Sequence, residues 1–255
     1  MQKYDCILLY EYFLEIKKKG YFKLLTNNSG EIGLNFEKNL GYSGGDFNIP
    51  DFKGIEIKCV NKDKKNDICL SSITPNGKVP FPILELAKKY GYPDQIYNDK
   101  KVLVTRCYSN KGTKFGIFNS TKLYVDYKGR KIVLKIFDYY GHVLDDSIYW
   151  SFDEVKEKIT RKISNLAIIK YELCDVGSKK YYRYIDIDFY LLRDFRIFLK
   201  LIECGIIYIS IDVGVIKTGK YKGLVRDHGC SFNIKYINLF LLFSDYYLYK
   251  KLVQK

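Results

Sequence analysis

The stretch that most limits how this chain folds is 48–60, Asn-Ile-Pro-Asp-Phe-Lys-Gly-Ile-Glu-Ile-Lys-Cys-Val. Proline is disfavoured inside a central strand because it lacks an amide donor, so Pro50 marks a turn and strand pairing is expected after it. Side chains alternate between the two faces of a strand, which places Glu56 and Lys58 on one face and the apolar residues at 55, 57 and 59 on the other. The segment therefore predicts a short strand with one apolar face that belongs to a core.

The polar face of this strand has the composition of a metal site. Asp51 lies in the turn just before the strand, close enough for its carboxylate to converge with that of Glu56. Carboxylates are suitable ligands for Mg²⁺, and the carbonyl oxygen of Ile57 would complete the shell. Lys58 would orient an attacking water or stabilise developing negative charge, and would act as a base only if its pKa were lowered. These residues alone leave open a simpler interpretation, an ordinary amphipathic strand with a solvated polar face.

The charge balance indicates the kind of partner. Lys and Arg number 43 against 29 Asp and Glu, which gives 255 residues a net charge of +14. Such an excess favours a polyanion, either nucleic acid or, less often, an anionic membrane surface. Hydrophobic residues make up 47% and charged residues 28%, a balance that excludes a disordered chain. The length allows one large domain or two lobes.

Cysteine and histidine usage argues against a disulfide framework or a zinc site. The seven cysteines include no C-x-x-C pair and several stand in apolar runs, so we expect free thiols in a reducing cytoplasm. Two histidines are too few for a His-rich metal cluster. We expect no signal peptide and no membrane span, because charged residues interrupt both the N-terminal segment and the most apolar region, 191–216.

Strand and helix patterns alternate irregularly along the chain, which predicts an α+β or mixed α/β fold. Helices are predicted at 5–19, 32–40, 82–90, 152–163, 189–203 and 237–252. Strands are predicted at 101–108, 114–118, 122–127, 131–137, 181–188, 206–216 and 224–234, and 68–74 is predicted to return antiparallel to the strand ending at Val60. The pattern gives no clean domain boundary; if there are two lobes, we expect the break near 165–180.

Three polar segments are candidates for DNA contact. Arg226 and His228 lie in a predicted hairpin, and arginine can bind the O6 and N7 atoms of guanine in the major groove. Lys217, Lys220 and Lys222 flank that hairpin and suit phosphate contact, and the loop with Asn27, Asn28 and Ser29 offers hydrogen bonds. Plain polar turns remain the alternative for each segment. On periodicity alone, Glu37 is expected to be solvated at the edge of an apolar helix stripe.

Two separated motifs resemble the MvaI/BcnI restriction endonucleases, relatives of the mismatch-repair nickase MutH within the PD-(D/E)xK nucleases. The first runs from Ser29-Gly-Glu-Ile-Gly-Leu-Asn-Phe-Glu-Lys-Asn-Leu-Gly41 to Ile49-Pro-Asp-Phe-Lys-Gly-Ile-Glu-Ile-Lys58. Leu70-Ser-Ser-Ile-Thr-Pro75 is similar to the segment that follows the catalytic strand in that family. The second motif is Asp227-His-Gly229 within Gly223–Ile234. The resemblance spans most of the chain.

The resemblance implies a restriction-endonuclease-like core, a mixed central sheet flanked by helices, with a DNA-recognition lobe, the two lobes clasping DNA. We assign 1–165 to the catalytic lobe and 166–255 to the recognition lobe, or to one continuous domain. Metal and catalytic roles are implied for Asp51, Glu56 and Lys58, and an auxiliary role for Glu37. Arg226, Asp227 and His228 would belong to the base-reading surface. Departures at Ser210-Ile-Asp-Val-Gly214, Cys230-Ser231 and Asn233 lie near that surface, so the target sequence is not predicted.

The expected function is therefore a Mg²⁺-dependent type II restriction endonuclease that cuts double-stranded DNA and leaves 5′-phosphate ends, with Mn²⁺ able to substitute. As in several family members, a monomer is expected, as is a cognate DNA methyltransferase encoded nearby without direct contact. One alternative is a MutH-like strand nickase with mismatch-repair partners. Another is a basic DNA-binding module without catalysis.

Overall fold

A computed structural model describes residues 3–26, 30–41, 49–63, 66–116 and 119–245. The α-helices in these ranges are α1 Lys3–Lys18, α2 Gly30–Asn39, α3 Pro82–Tyr90, α4 Phe152–Ile163, α5 Phe195–Glu203 and α6 Leu239–Leu242, with a 3₁₀ turn at Tyr236–Asn238. The first seven strands are β1 Phe22–Lys23, β2 Glu56–Asn61, β3 Asp67–Ser72, β4 Tyr92–Pro93, β5 Lys101–Cys107, β6 Thr113–Phe115 and β7 Asn119–Asp126. The remaining strands are β8 Lys131–Phe137, β9 Val143–Ser151, β10 Asn165–Val176, β11 Lys179–Leu192, β12 Ile207–Val215, β13 Val225–Lys235 and β14 Phe243–Asp245.

The chain forms two compact units that are interleaved in sequence. Unit 1 comprises Met1–Ile68, Ile159–Arg193 and Tyr236–Lys255, and unit 2 comprises Cys69–Lys158 and Asp194–Lys235. This division differs from the predicted one, in which a single boundary after residue 165 separates a catalytic lobe from a recognition lobe. The expected break at 165–180 is wrong, because 165–176 form β10, a long strand with partners on both sides in the sheet of unit 1.

The sheet of unit 1 is mixed and has the order β1-β11-β10-β2, with β14 also paired to β11. β10 runs antiparallel to β11 and parallel to β2. Helices α1 and α2 contribute to its core, in which Leu9, Phe13 and Phe36 are buried together with Ile57 of β2 and Ile169 of β10. This mixed sheet with flanking helices confirms the predicted fold class.

Unit 2 contains two antiparallel sheets. The first has the order β3-β13-β12-β5-β4 and the second the order β6-β7-β8-β9. The predicted hairpin between β2 and β3 does not form, because β3 pairs with β13 in the first of these sheets. The predicted pairing of the strand after residue 224 with the one before residue 216 is confirmed by the register of β12 and β13.

Several element predictions hold and others need correction. Helix α3 and strand β8 have the predicted bounds, and the Ser151 hydroxyl caps α4 by accepting a hydrogen bond from the Glu154 amide at 3.3 Å. The helix predicted from residue 189 begins only at Phe195, because β11 continues to Leu192 and Asp194 supplies the N-cap. The predicted C-terminal helix is also too long, since α6 ends at Leu242 and β14 follows.

All seven cysteines are free thiols in the structure. Cys6, Cys107 and Cys230 are buried, whereas Cys69 and Cys204 are exposed. In the part of the chain that the structure describes, no helix is long and apolar enough to pass through a lipid bilayer.

Candidate active site

A tight turn places Asp51 beside the start of β2. The amide and carbonyl groups of Phe52 and Ile55 bond to each other at 3.0 and 2.8 Å, while Lys53 and Gly54 between them have φ angles of 45° and 79°. Two consecutive positive φ angles are typical of a type I′ hairpin turn, which reverses the chain within two residues. The reversal lets the Asp51 carboxylate accept a hydrogen bond from the Ile57 amide at 2.8 Å. This turn is the structural reason why Asp51 lies near the start of β2, where Glu56 stands.

The polar face of β2 is not solvated. Glu56 is only 1% exposed, and the side chain of Lys58 is 29% exposed. Their partners across the parallel register are Leu166 and Ile168 of β10, both buried and apolar. The simpler interpretation, a solvated polar face, is therefore wrong, because β10 extends an apolar surface alongside these two polar residues.

Two lysines approach the Glu56 carboxylate from different elements. The Nζ of Lys58 lies 2.5 Å from Oε1 of Glu56, and the Nζ of Lys162 in α4 lies 3.6 Å from the same oxygen. The other oxygen, Oε2, is buried and has no hydrogen-bond partner among the described residues. Burial raises the pKa of Glu56, an effect that Lys58 opposes and the Asp51 carboxylate reinforces.

Glu37 of α2 belongs to the same electrostatic environment. Burial raises the pKa of this carboxyl, and the Asp51 carboxylate raises it further, while Lys58 opposes both effects. A solvated glutamate would not respond in this way, so the expectation from helix periodicity is wrong for Glu37. The helix delivers this side chain to the site because its apolar neighbours, Ile32 and Phe36, are buried in the core of unit 1.

The sequence analysis missed Lys162. Its side chain is 16% exposed, and it stands in the last turn of α4 among basic residues, a pattern that is typical of a solvated helix face. The periodicity of one helix cannot reveal this role, because the carboxylate that Lys162 approaches lies more than a hundred residues earlier in the chain. The fact that α4 leads directly into β10, the neighbour of β2, is what brings the two residues together.

The donor set suits a hard divalent cation that is bound by few protein ligands. No group of three or more His, Cys, Asp or Glu side chains stands ready to hold a metal in the described ranges. Mg²⁺ commonly binds through one or two carboxylates and retains several waters, so two carboxylates satisfy its requirements. The Oε2 atom of Glu56 has no hydrogen-bond partner among the described residues, whereas buried polar oxygens are nearly always bonded. A bound cation would supply the partner that this oxygen lacks.

The predicted DNA-reading residues lie in unit 2. Arg226, Asp227 and His228 are exposed on β13, next to an irregularity at which residues 228 and 229 of β13 lie opposite Asp212 of β12. Gly229 has a φ of 94° and donates its amide to Asp227 at 2.7 Å. A bulge of this kind redirects the neighbouring side chains. Asn28 and Ser29 lie outside the described residues.

The three lysines before β13 differ in their surroundings. Lys220 and Lys222 are exposed. Lys217 forms an ion pair with Asp94, whose carboxylate also accepts hydrogen bonds from the amides of Ile96 and Tyr97. The ion pair therefore joins Lys217, which precedes β13, to the loop between β4 and β5.

Two of the positions that depart from the family pattern, Ser231 and Asn233, are joined by hydrogen bonds that also include Ser210. The side-chain amide of Asn233 donates to the Ser210 hydroxyl at 3.2 Å, and to the carbonyl and hydroxyl oxygens of Ser231 at 2.7 and 2.9 Å. Ser210 and Ser231 face each other across β12 and β13.

One strand of the mixed sheet carries a buried carboxylate beside a lysine, and the comparisons with known proteins define the family to which the chain belongs. The sequence profile of the MvaI/BcnI restriction endonuclease family matches residues 10–243. The chain belongs to that family, and it is a type II sequence-specific restriction endonuclease, an enzyme class that uses divalent metal ions.

Two solved structures are similar over nearly the whole chain. A complex of restriction endonuclease MvaI with its cognate DNA substrate matches with a TM-score of 0.87 and 26% identity, covering 96% of this chain and 98% of that one. Restriction endonuclease MvaI in the absence of DNA matches with a TM-score of 0.60 and 25% identity, covering 96% and 97%. A search of curated protein sequences gave no match.

Proposed function

We propose that this enzyme uses Mg²⁺, with Mn²⁺ as a substitute, to cut both strands of duplex DNA at a specific sequence, leaving 5′-phosphate ends. The observation that carries the proposal is the buried Glu56 carboxylate, which has one oxygen beside Lys58 and the other without a hydrogen-bond partner among the residues that the structure describes. The similar structure of an MvaI–DNA complex supports duplex DNA as the substrate.

Asp51, Glu56 and the carbonyl oxygen of Ile57 would hold the metal ion. A bound Mg²⁺ supplies an activated water and neutralises charge on the phosphate. Lys58 orients the attacking water and places a fixed positive charge beside the developing negative charge. Glu37 acts as an auxiliary carboxylate that holds a proton or a water at the edge of the site. Because β10 lines this face with apolar side chains, bulk water is kept from the reacting groups.

Recognition is assigned to unit 2. Arg226, Asp227 and His228 would contact base edges, and Lys220 and Lys222 would contact phosphates, while Lys217, Asn28 and Ser29 are proposed as peripheral contacts. The protein would act as a monomer in the cytoplasm, beside a methyltransferase that protects the same sequence without binding this chain.

A supercoiled plasmid and a long linear DNA, each incubated with Mg²⁺, test the reaction. Linear plasmid product and a single repeated sequence at the new ends are expected. A persistent nicked circle would instead favour a strand nickase. If wild type binds DNA with a steep salt dependence but never cuts with Mg²⁺ or Mn²⁺, the non-catalytic binding module is correct.

Two conservative variants test the site. Asp51→Asn retains an acceptor for the Ile57 amide, and Lys58→Met retains the aliphatic stem of the lysine. Each is expected to lower cleavage by about a thousandfold or more while sparing DNA binding measured without metal. Cleavage near the wild-type rate by both variants would refute the assignment.

A further inference from the structure

The four-stranded sheet of unit 2 has one face that no function described above uses. Along β7 and β8 the residues at 121, 123, 132, 134 and 136 are fully buried, so the alternate residues point to the opposite, outer face. That outer face carries four lysines, which are Lys114 on β6, Lys122 on β7, and Lys131 and Lys135 on β8. We call it the lysine face.

Two of these lysines are placed directly against each other. Lys122 and Lys135 are paired residues in the register of β7 and β8. Like charges at directly opposed positions of an antiparallel pair destabilise a sheet. Within the described ranges, none of the four ammonium groups forms an ion pair with a carboxylate. On β7 and β8, the acidic residue that shares this face is Asp126, which lies opposite Lys131 in the register and accepts a hydrogen bond from the Gly129 amide in the adjoining turn. On β9, residues 146 and 147 lie opposite Lys135, and Asp146 is exposed there.

Aromatic rings support these cations. The Nζ atoms of Lys122 and Lys135 lie 5.5 and 4.9 Å from the centre of the Tyr124 ring, and the Nζ of Lys131 lies 5.4 Å from that of Tyr149. Tyr124 is 38% exposed. Such contacts hold an ammonium group over a ring without neutralising its charge, so the positive potential of the face is preserved.

We propose that the lysine face binds the phosphates of duplex DNA outside the recognition sequence, without reading bases. Duplex DNA presents one negative charge per ~1.7 Å of its axis, and the opposed ammonium groups of Lys122 and Lys135, neither of which forms an ion pair within the described ranges, complement such a density. Rows of lysines on neighbouring strands suit the backbone, whereas base reading needs side chains aimed into a groove. The proposal rests on the proposed function only in that DNA is the substrate.

The test compares a double variant, Lys122→Gln with Lys135→Gln, with a control of equal charge change, Lys18→Gln with Lys88→Gln. Lys18 and Lys88 are exposed and form surface ion pairs with Glu15 and Glu85. Binding is measured without metal, as a function of salt, on two cognate duplexes. One ends at the recognition sequence, and the other extends beyond it by a full helical turn on each side.

On the long duplex, the slope of log K against log salt is expected to weaken by about 1.8 in the double variant, since each lost phosphate contact removes roughly 0.9. The control, and a Lys122→Arg/Lys135→Arg variant, should keep the wild-type slope, and the short duplex should not distinguish any of the proteins. A double variant indistinguishable from the control on the long duplex would overturn the proposal and leave an ordinary solvated face.

The cleavage assay separates this outcome from the proposed function. Wild type that binds long duplex through the lysine face but never cuts would refute the catalytic proposal and support this one. Sequence-specific cleavage by wild type, combined with an unchanged salt slope in the double variant, would support the catalytic proposal and refute the proposal for the lysine face. A melting temperature of the double variant at or above that of wild type confirms that the variant remains folded, since the substitution removes the repulsion between the two opposed lysines.

Discussion

Glu56 combines two properties that stability alone does not explain. It is almost fully buried, and one of its oxygens lacks a hydrogen-bond partner among the described residues. An unsatisfied buried polar group costs about 1–3 kcal/mol, more when the group is charged. Burial raises the pKa of this carboxyl, which means that the fold disfavours its ionised form. A bound cation would offset this cost, which is the reason for proposing Glu56 as a metal ligand.

Glu37 gives a test at the residue level. Glu37→Gln is expected to lower the cleavage rate by about a hundredfold or more, the range of a positioned proton-transferring group, with little change in DNA binding. The matched control is Glu31→Gln on the same helix, because Glu31 accepts hydrogen bonds from the amides of Leu25 and Thr26 at 2.7 Å each. That control should lower the melting temperature and leave turnover per folded molecule unchanged. Equal cleavage rates for the two variants would show that Glu37 has no role.

Lys162 gives a second test. Lys162→Met removes one of the two cations near Glu56, so the metal-free protein should lose on the order of 1 kcal/mol of unfolding free energy, because a buried carboxylate keeps less compensation. Cleavage is expected to fall by roughly tenfold. Lys158→Met, one turn earlier in α4, breaks only the surface pair with Glu154 at 3.1 Å and should change stability by less than about 0.5 kcal/mol. Urea unfolding and cleavage assays on both variants decide the matter.

At the level of elements, the turn before β2 sets the geometry of the site. Gly54 has a φ of 79°, and a Cβ added there would meet no atom within 4 Å, so the cost of a side chain would be conformational rather than steric. Gly54→Ala is therefore expected to destabilise the protein by about 1 kcal/mol. Because the turn aims Asp51, cleavage should fall by more than the loss of folded protein explains. Unchanged cleavage would mean that the turn does not position Asp51.

The loop before β13 is held by the ion pair between Lys217 and Asp94, which is sensitive to acid. The Lys217 ammonium and the amides of Tyr97 and Ile96 lower the pKa of Asp94 to about 2. A carboxyl whose pKa is lower in the folded state binds fewer protons there, so its contribution is present above the unfolded pKa of about 3.9 and is lost as the pH falls towards 2. The melting temperature of wild type should fall through this interval more steeply than that of Asp94→Asn. Parallel pH profiles for the two proteins would contradict the pairing.

For the whole molecule, the order of segments in the two units has a direct consequence. Unit 1 takes three separate segments of the chain, and β2 pairs with β10, which begins at Asn165. A fragment of residues 1–165 therefore lacks the strand that covers β2, and we expect it to show no cooperative unfolding and no cleavage. Circular dichroism with thermal melting checks this. A cooperatively folded fragment would support the sequential division into lobes at residue 165.

The sequence by itself determined the local parts of the site. Pro50 and the alternation from Ile55 to Cys59 predicted a strand with Glu56 and Lys58 on one face, and the two motifs predicted the family. These features depend on neighbours within a few residues, where steric and hydrogen-bonding rules are strong. The bounds of α3 and β8 were predictable for the same reason.

Only the tertiary structure decided which strand lies beside β2. The sequence pattern predicts a possible lobe break at 165–180 and no strand there, because the pairing of 165–176 with β2 depends on contacts far apart in sequence. That pairing buries Glu56, turns Lys162 towards it, and converts a polar strand face into a site with altered pKa values. Burial and charge proximity are properties of the assembled sheet, so no periodicity in the sequence could have contained them.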